Sequence, residues 1–264
     1  MKSIKNLVQN IFIKIGYNLI KYKKNNDYNG FILNYNFLHS DFDEFHKKII
    51  KLVKNYTMTS PERLYTLIEA VKYLNLNNIK GDIVECGVWR GGSMMTIAET
   101  LVSLEDTNRQ LYLFDTFEGM PEPNEVLDID SKNNSAKKYM IDNAKSEDDF
   151  IWAFAPLDLV KYNINSTKYP SHKVTYIKGM VEETLPNNSI EKIALLRLDT
   201  DWYSSTKHEL NTLYKLIVKG GILIIDDYGH WNGAKLAVDE YIKENNITIF
   251  LNRIDYSGRI AIKQ

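Results

Sequence analysis

The sequence predicts an α/β protein built on a doubly wound, mostly parallel sheet. From residue 81 onward, short apolar runs alternate with stretches long enough to form a helix, which is typical of parallel βαβ units. Four of the first five runs end in an acidic residue or in Glu-Cys-Gly, at the end of the strands where open parallel sheets bind ligands. Two more runs close the chain, and the turn signal Ser257-Gly258 between them predicts an antiparallel hairpin at the sheet edge.

Five apolar runs are predicted to be parallel strands. They are IVEC (83–86), LYLFD (111–115), VTYIK (174–178), IALLRLD (193–199) and GILIIDD (221–227). The closing hairpin is expected to use TIFLNRI (248–254) and RIAIKQ (259–264). The interval 119–170 is about twice the length that a helical crossover needs and is rich in Asn, Asp, Lys and Ser. We therefore expect this insertion to be a mobile lid that contains a helix or two.

Residues 1–57 are predicted to form a helical extension to a catalytic domain at 58–264. The first residues carry an apolar stripe at helical spacing, formed by Ile4, Leu7, Val8, Ile11, Phe12, Ile15, Leu19 and Ile20. This stripe predicts an amphipathic helix that packs on the protein's own core or on a partner subunit of a homo-oligomer, with peripheral membrane contact as the alternative. Residues 25–57 show no clear period. A further helix is expected from Pro61 to Leu76, capped by Ser60.

Composition excludes several classes of function. The 264 residues include 33 basic and 34 acidic side chains, so no global field favours nucleic acid or another polyanion. The single cysteine, Cys86, excludes an internal disulfide framework and a multi-cysteine zinc site. Cytoplasm is the expected compartment, because the start has neither a membrane-spanning apolar stretch nor a cleavage site. Specificity must therefore come from a site.

A glycine turn follows the first predicted strand, in the sequence GVWRGGS (87–93). Glu85 precedes the turn, and the helix that follows it offers free N–H groups to a carboxylate or phosphate. Asp115 ends the second strand, about 20 to 30 residues farther on, where an acid suits hydrogen bonds to ribose hydroxyls. The alternative role for Asp115 is a cap for the next segment. Together these features indicate a nucleoside-containing ligand without choosing which one.

Four carboxylates follow the fourth and fifth predicted strands: Asp199, Asp201, Asp226 and Asp227. If these strands are neighbours at the ~4.8 Å spacing of a sheet, the four acids converge and require a cation to offset their repulsion. An oxygen-only cluster suits a hard ion, Mg²⁺ first and Ca²⁺ or Mn²⁺ next. The alternative is that some of the acids cap helices and the rest are solvated. His230, three residues beyond Asp227, is a candidate substrate contact.

Four motifs in this sequence resemble the macrocin O-methyltransferase (TylF-type) family. They are GDIVECGVWRGGS, LFDTFEGMPEP, LDTDWYSST and KGGILIIDDYGHWNGAKLAVDEY. The resemblance implies a class I methyltransferase that uses S-adenosylmethionine and Mg²⁺ to methylate sugar hydroxyls on natural products. It covers about residues 58 to 242, whereas the first 55 residues and much of 124–170, regions that shape the acceptor pocket in the family, show no match.

The resemblance also implies roles for individual residues. Those matching the loop and segment around the methionine half of the cofactor are Met58, Thr59, Ser60, Arg63, Glu85, Gly87, Gly91, Gly92 and Ser93. Asp115 matches the ribose ligand. The matches to the family's metal ligands are Asp199, Asp226 and Asp227, and Asp201 matches its proposed general base.

Three rival functions share parts of this pattern. Asp199-Thr200-Asp201 is also a D-x-D motif, which binds a metal and a sugar diphosphate in glycosyltransferases, but the glycine turn and Asp115 argue against that class. A nicotinamide-dependent oxidoreductase is disfavoured because G-x-G-x-x-G is missing. A non-catalytic binding module is disfavoured by the acids at the strand ends. The sequence therefore predicts an S-adenosylmethionine- and Mg²⁺-dependent O-methyltransferase whose substrate is a glycan precursor or glycosylated natural product.

Overall fold

The computed structural model describes residues 39–142 and 152–264. Within them, a seven-stranded sheet consists of β1 (Asp82–Cys86), β2 (Leu111–Asp115), β3 (Val174–Lys178), β4 (Ile193–Leu198), β5 (Ile217–Ile225), β6 (Asn252–Arg253) and β7 (Arg259–Ile262). Its spatial order is β3-β2-β1-β4-β5-β7-β6. Strands β1 to β5 run parallel, and β7 pairs antiparallel with β5 and β6. The predicted sheet, with its closing hairpin, is confirmed.

Eight α-helices lie in the described part of the chain. They are α1 (Glu44–Val53), α2 (Pro61–Leu76), α3 (Gly92–Ser103), α4 (Ala136–Asp142), α5 (Leu157–Asn165), α6 (Val181–Thr184), α7 (Tyr203–Leu213) and α8 (Asn232–Glu244). Helix α2 has the predicted bounds, and its cap Ser60 accepts a hydrogen bond from the Arg63 N–H at 3.2 Å. None of these helices has the length and apolar character that crossing a bilayer requires. The amphipathic helix expected near the N-terminus lies outside the described residues.

Two hydrophobic layers cover the sheet, one on each face. Helices α1, α2, α3 and α5 pack on the face that includes Ile83 and Leu195, and helices α7 and α8 pack on the face that includes Val84 and Leu196. Every residue of β4 is buried. Burial on both faces explains why the parallel strands are near-continuous apolar runs in the sequence.

Helix α1 was not predicted from the sequence. Its cap Asp43 accepts a hydrogen bond from the His46 N–H at 2.9 Å. Its buried residues Ile49, Ile50 and Val53 join the same hydrophobic layer as α2. The boundary at residue 57 between extension and catalytic domain stays a prediction, but part of the segment assigned to the extension packs on the domain core.

The first half of the insertion is fastened to the loops that follow β4 and β5. The Trp202 Nε1–H donates to the Pro121 carbonyl at 3.0 Å, and the Asn232 N–H donates to the Ile129 carbonyl at 2.9 Å. Asp128, which is 1% exposed, accepts from the Tyr203 N–H at 2.9 Å, at the first residue of α7. Any lid movement of residues 119–142 must break these bonds, and the mobility of the insertion stays a prediction.

Candidate active site

The site lies at the carboxyl ends of the parallel strands, where the chain order reverses between β1 and β4. The loops that follow these two strands are in direct contact there. Gly87 has a φ of 82°, and a Cβ at this position would lie 2.0 Å from the Asp199 carbonyl oxygen. Only glycine fits such an approach. The crevice at this reversal is the usual ligand position in open α/β sheets, so the glycine turn and the acids border one site.

The glycine turn leads into α3 without a side-chain cap. Gly91, the cap residue, has a φ of 89°, and its lack of a side chain leaves the helix N-terminus uncapped. The Gly92 N–H donates to the Tyr56 carbonyl at 2.9 Å, which holds the preceding segment against the turn. Ser93 and Thr59 face each other across this contact, with their hydroxyl oxygens 3.4 Å apart. The open helix N-terminus is suited to a ligand carboxylate.

Asp115 braces the glycine turn through backbone hydrogen bonds. Its Oδ2 accepts from the Val88 and Trp89 N–H groups at 2.7 and 3.0 Å, and its Oδ1 accepts from the Phe117 N–H at 2.6 Å. Burial raises the pKa of Asp115, and these hydrogen bonds oppose the rise. The carboxylate therefore has a local structural role, related to the alternative considered from the sequence, and its oxygens retain lone pairs for further donors.

The residues predicted to close over the cofactor begin at the start of α2. Met58 packs against the core, whereas Ser60 and Arg63 reach the closing hairpin. The Ser60 hydroxyl donates to Asp255 Oδ2 at 2.8 Å, and Arg63 Nε lies 2.9 Å from the same oxygen. Arg63 Nη1 also contacts Asp226. Asp255, which the sequence reading missed, thus links the cofactor segment to the hairpin, and Arg63 reaches the acids.

The acids after β4 and β5 converge because those strands are hydrogen-bonded neighbours, as the metal hypothesis requires. Asp199, Asp226 and Asp227 each offer a carboxylate oxygen, and these three atoms lie within 4.8 Å of one another. Asp201 has a φ of 68°, in the left-handed region that Asp adopts more readily than most non-glycine residues. The four residues Asp199, Asp201, Asp226 and Asp227 are called the acidic cluster below.

Three acids of this cluster have raised pKa values. Burial raises the pKa of Asp199 well above the ordinary value, although the charge of Arg197 lowers it. Burial, followed by the charges of Asp201 and Asp226, raises the pKa of Asp227 well above the ordinary value. Burial raises the pKa of Asp201 to about 7, against a hydrogen bond with Asp227 that lowers it. Carboxylates this close together favour protonation or neutralisation by a cation.

Glu85 and Arg197 form a buried ion pair beside the cluster. Arg197 Nη1 donates to Glu85 Oε1 at 2.8 Å, and the two side chains are 2% and 1% exposed. Burial raises the pKa of Glu85 to about 7, although the charge of Arg197 lowers it. Glu85 Oε2 is buried and has no hydrogen-bond partner among the described residues. The sequence reading missed Arg197, for which the available signal was a lone charge inside an apolar strand.

His230 lies at the rim of the cluster within a group of aromatic rings. Its Nδ1 is 3.4 Å from the Tyr256 hydroxyl, and its ring meets that of Trp231 edge-on with centroids 4.8 Å apart. Burial lowers the pKa of His230. Burial also raises the pKa of Tyr256, and the charges of Asp226 and Asp227 contribute to that rise. Tyr256, which was not singled out from the sequence, is therefore close enough to the acids to sense their charge.

A doubly wound sheet with a glycine turn after its first strand and acids at the ends of its central strands has the architecture of a class I methyltransferase. Comparison with known proteins agrees. Residues 51–261 match the model of the family described as Macrocin-O-methyltransferase (TylF). The chain therefore belongs to the macrocin O-methyltransferase family, as its motifs predicted, and is an S-adenosylmethionine-dependent O-methyltransferase rather than a glycosyltransferase, an oxidoreductase or a binding module.

Several relatives are similar over most of their length. The demethyldecarbamoylnovobiocin O-methyltransferase of Streptomyces niveus is 32% identical over 203 residues, which cover 77% of this chain and 74% of the relative. An O-methyltransferase of Streptomyces olivaceus, named for position 4′ of a 2,3-dimethoxy-α-L-rhamnosyl tetracenomycin, is 31% identical, with the same two coverages of 77% and 74%. The solved structure of the O-methyltransferase NovP superposes with a TM-score of 0.68 at 30% identity and covers 79% of this chain and 82% of NovP.

Proposed function

We propose that this enzyme transfers the methyl group of S-adenosylmethionine to a sugar hydroxyl and that Mg²⁺ bound by the acidic cluster assists the reaction. One observation carries the proposal: carboxylate oxygens of Asp199, Asp226 and Asp227 lie within 4.8 Å of one another, and the Asp199 backbone also adjoins the glycine turn at Gly87. The names of relatives support the acceptor class, because they specify a rhamnosyl tetracenomycin and a mycinamicin. The particular sugar is not specified by the chain.

The residues around the glycine turn suit the cofactor. When bound, S-adenosylmethionine supplies an activated methyl group. Glu85 Oε2, which is buried and unpartnered among the described residues, is available to accept from the ammonium of the methionine half. The N-terminus of α3 has no side-chain cap, and it is proposed to take the methionine carboxylate at Ser93, since the Gly92 N–H is held by Tyr56. Asp115 is proposed to accept from the ribose hydroxyls, and Thr59 is proposed to line the methionine half beside Ser93.

The acidic cluster suits a hard divalent ion. Carboxylate oxygens are preferred ligands of Mg²⁺, and each oxygen can serve both an arginine and an ion. When bound, Mg²⁺ supplies Lewis-acid polarisation of the acceptor hydroxyl. Asp201 is proposed as the general base that takes the hydroxyl proton, and a pKa near 7 suits that role at neutral pH. His230 and Tyr256, at the rim, are proposed to contact the acceptor.

Ligand binding tests the cofactor and the metal separately. Calorimetry with S-adenosylhomocysteine should show saturable binding, and thermal stabilisation should be larger with it than with a nucleotide sugar or NAD. Methyl transfer to a panel of glycosylated natural products should stop on chelation and return with Mg²⁺. Absence of S-adenosylhomocysteine binding contradicts the cofactor assignment, whereas turnover that survives chelation contradicts only the metal.

The N-terminal stripe is proposed to mediate contact with the core or with a second copy of the chain. Light scattering of the full chain should show a homo-oligomer, and exchange of Leu7 and Ile11 for Lys should dissociate it by interrupting the apolar stripe. A monomeric wild type that co-floats with lipid vesicles supports the alternative, peripheral membrane contact.

A further inference from the structure

The buried Arg197 lies between the proposed cofactor residues and the proposed metal ligands. Arg197 is 2% exposed and comes from β4, where it is in register with Glu85 of the neighbouring strand β1. Residues in register on adjacent strands present their side chains to the same face of a sheet. The guanidinium is therefore held beside Glu85, at the point where the chain order reverses.

Each terminal nitrogen of Arg197 donates a hydrogen bond on the cofactor side and forms an ion pair on the metal side. Nη1 lies 2.8 Å from Glu85 Oε1 and 2.7 Å from Asp199 Oδ2. Nη2 lies 3.0 Å from the Thr59 hydroxyl oxygen and 2.7 Å from Asp226 Oδ1. Two proposed cofactor residues and two proposed metal ligands thus share one side chain.

The chemistry of the guanidinium makes this sharing rigid. Its donors are fixed in one plane, so a shift that improves one pair of contacts changes the geometry of the other pair. Water has little access to replace a broken bond, because Arg197 and Glu85 are 2% and 1% exposed. In such surroundings a lost hydrogen bond is costly, and the acceptors on the two sides are held to one common arrangement.

We propose that Arg197 is a positioning residue that couples the two binding sites, so that the cofactor and the metal each tighten binding of the other. The inference rests on the proposed function, because it takes Glu85 and Thr59 as cofactor residues and Asp199 and Asp226 as metal ligands. A ligand that adjusts the acceptors on one side therefore also adjusts those on the other side through the guanidinium. Linkage requires this effect to be reciprocal.

Calorimetry with S-adenosylhomocysteine and Mg²⁺ tests the coupling without an acceptor sugar. For the wild type, the Kd of S-adenosylhomocysteine should be roughly fivefold lower or more in Mg²⁺ than in chelator, the lower end of the range for coupled sites. The Kd of Mg²⁺ should fall by the same factor when S-adenosylhomocysteine is present. Arg197→Lys keeps the charge but offers one nitrogen instead of a fork, so both ratios should fall toward one.

Arg109→Lys is the matched control. Arg109 is 8% exposed and bonds Asp106 and the Gly81 carbonyl near the amino ends of β1 and β2, away from the site. This variant should keep the wild-type ratio. If Arg197→Lys does not fold, Thr59→Val removes one of the four contacts with little change of shape, and the ratio should fall by a smaller factor. A direct effect of Thr59 on the cofactor changes the Kd in both conditions and leaves the ratio unchanged.

The outcomes separate the coupling from the function on which it rests. Equal Kd values for wild-type S-adenosylhomocysteine binding in Mg²⁺ and in chelator overturn the coupling and leave the cofactor assignment standing. A full wild-type ratio in Arg197→Lys overturns the role of Arg197, as does a full ratio in Thr59→Val where the lysine variant does not fold. Failure of the wild type to bind S-adenosylhomocysteine or Mg²⁺ overturns the proposed function and the coupling together.

Discussion

The two ends of the crevice hold their carboxylates in different ways. At the β1–β2 end, Asp115 accepts three backbone N–H groups and lies apart from the acidic cluster. At the β4–β5 end, Asp199, Asp201 and Asp227 crowd one another, and burial together with neighbouring acids raises their pKa values. The first arrangement is satisfied by backbone donors, whereas the second holds like charges close together, as the proposed cation site requires.

The largest expected effect comes from the crowded end. Asp201→Asn should lower kcat by a factor on the order of 10² to 10⁴, as expected for loss of a general base, while metal and cofactor affinities stay near the wild-type values. Asp226→Asn should weaken Mg²⁺ binding, and its activity should partly recover at high Mg²⁺. Turnover and metal affinity are measured on the same variants, once an accepted sugar substrate is found.

The base assignment fails if Asp201→Asn binds Mg²⁺ as poorly as Asp226→Asn, because Asp201 then belongs to the coordination shell. It also fails if Asp201→Asn keeps wild-type kcat. The adjacent exposed residue Ser204, which lies in the first turn of α7, offers a control, and Ser204→Ala should leave both quantities unchanged.

A smaller effect, on cofactor affinity, is expected at the β1–β2 end. Asp115→Ala should weaken S-adenosylhomocysteine binding by about 1 to 3 kcal/mol, through loss of the proposed ribose contact and of the acceptor for the Val88 and Trp89 N–H groups. Calorimetry measures the change. Asp158→Ala, at a side chain that is 98% exposed, should leave binding unchanged. Wild-type affinity in Asp115→Ala removes Asp115 from the cofactor site.

The bounds of some strands could be predicted from the sequence, and those of others could not. Strand β2 has the predicted bounds because a strand buried on both faces is a near-continuous apolar run ended by a polar residue. The edge strand β3 also has the predicted bounds, although its residues are half-buried or exposed. Strand β5 begins at Ile217 instead of Gly221, because Ile217 pairs with Ile193 of β4; the register then shifts across the two glycines, and regular pairing resumes at Ile222. Strand β6 covers only Asn252–Arg253 of the predicted run 248–254.

Site residues that lie at strand ends could be predicted from the sequence. Site residues that are brought in by tertiary contacts could not. The neighbouring positions of Asp199 and Asp226 follow from the adjacency of β4 and β5. The contacts of Arg63 and Asp255 join residues that lie far apart in the sequence, and local pattern carries no information on such pairs. Arg197 was a missed signal, because a charge inside a buried strand requires a partner.

The pH dependence of Tm tests whether the carboxylates at the β4–β5 end are crowded. In the protein without metal, Asp201 has a pKa of about 7, above its ordinary value of 3.8, so the folded state binds a proton more tightly than the unfolded state. The stabilisation that protonated Asp201 gives to the folded state is therefore fully present below about pH 4 and is lost as pH rises through about 7. In chelator, Tm should fall by about 5 °C between about pH 5 and about pH 8, and Mg²⁺ should reduce the fall.

Asp201→Asn stays neutral, so the decline of Tm in chelator should be shallower in this variant than in the wild type. The pKa of Glu85 is also raised to about 7, so protonation of Glu85 likewise stabilises the folded state. Some decline of Tm should therefore remain in Asp201→Asn. A wild-type Tm that rises over this pH range in chelator contradicts the crowding at the β4–β5 end.

The smallest expected effect concerns the insertion that borders the crowded end. Asp128 accepts from the Tyr203 N–H at 2.9 Å and from the Asn124 N–H at 2.7 Å, and so joins the insertion to the start of α7. Asp128→Ala should lower the free energy of unfolding by roughly 0.5 to 2 kcal/mol, as for loss of a helix cap. Hydrogen exchange should accelerate in residues 119–142 and stay slow in β1 and β4, since those strands belong to the core. Asp128→Asn keeps one acceptor oxygen and should have an intermediate effect.

The lid prediction has its own test, because S-adenosylhomocysteine and Mg²⁺ are expected to close a lid over the site. Both ligands should therefore slow hydrogen exchange in the wild-type insertion. Exchange that is equally slow with and without them argues against a lid.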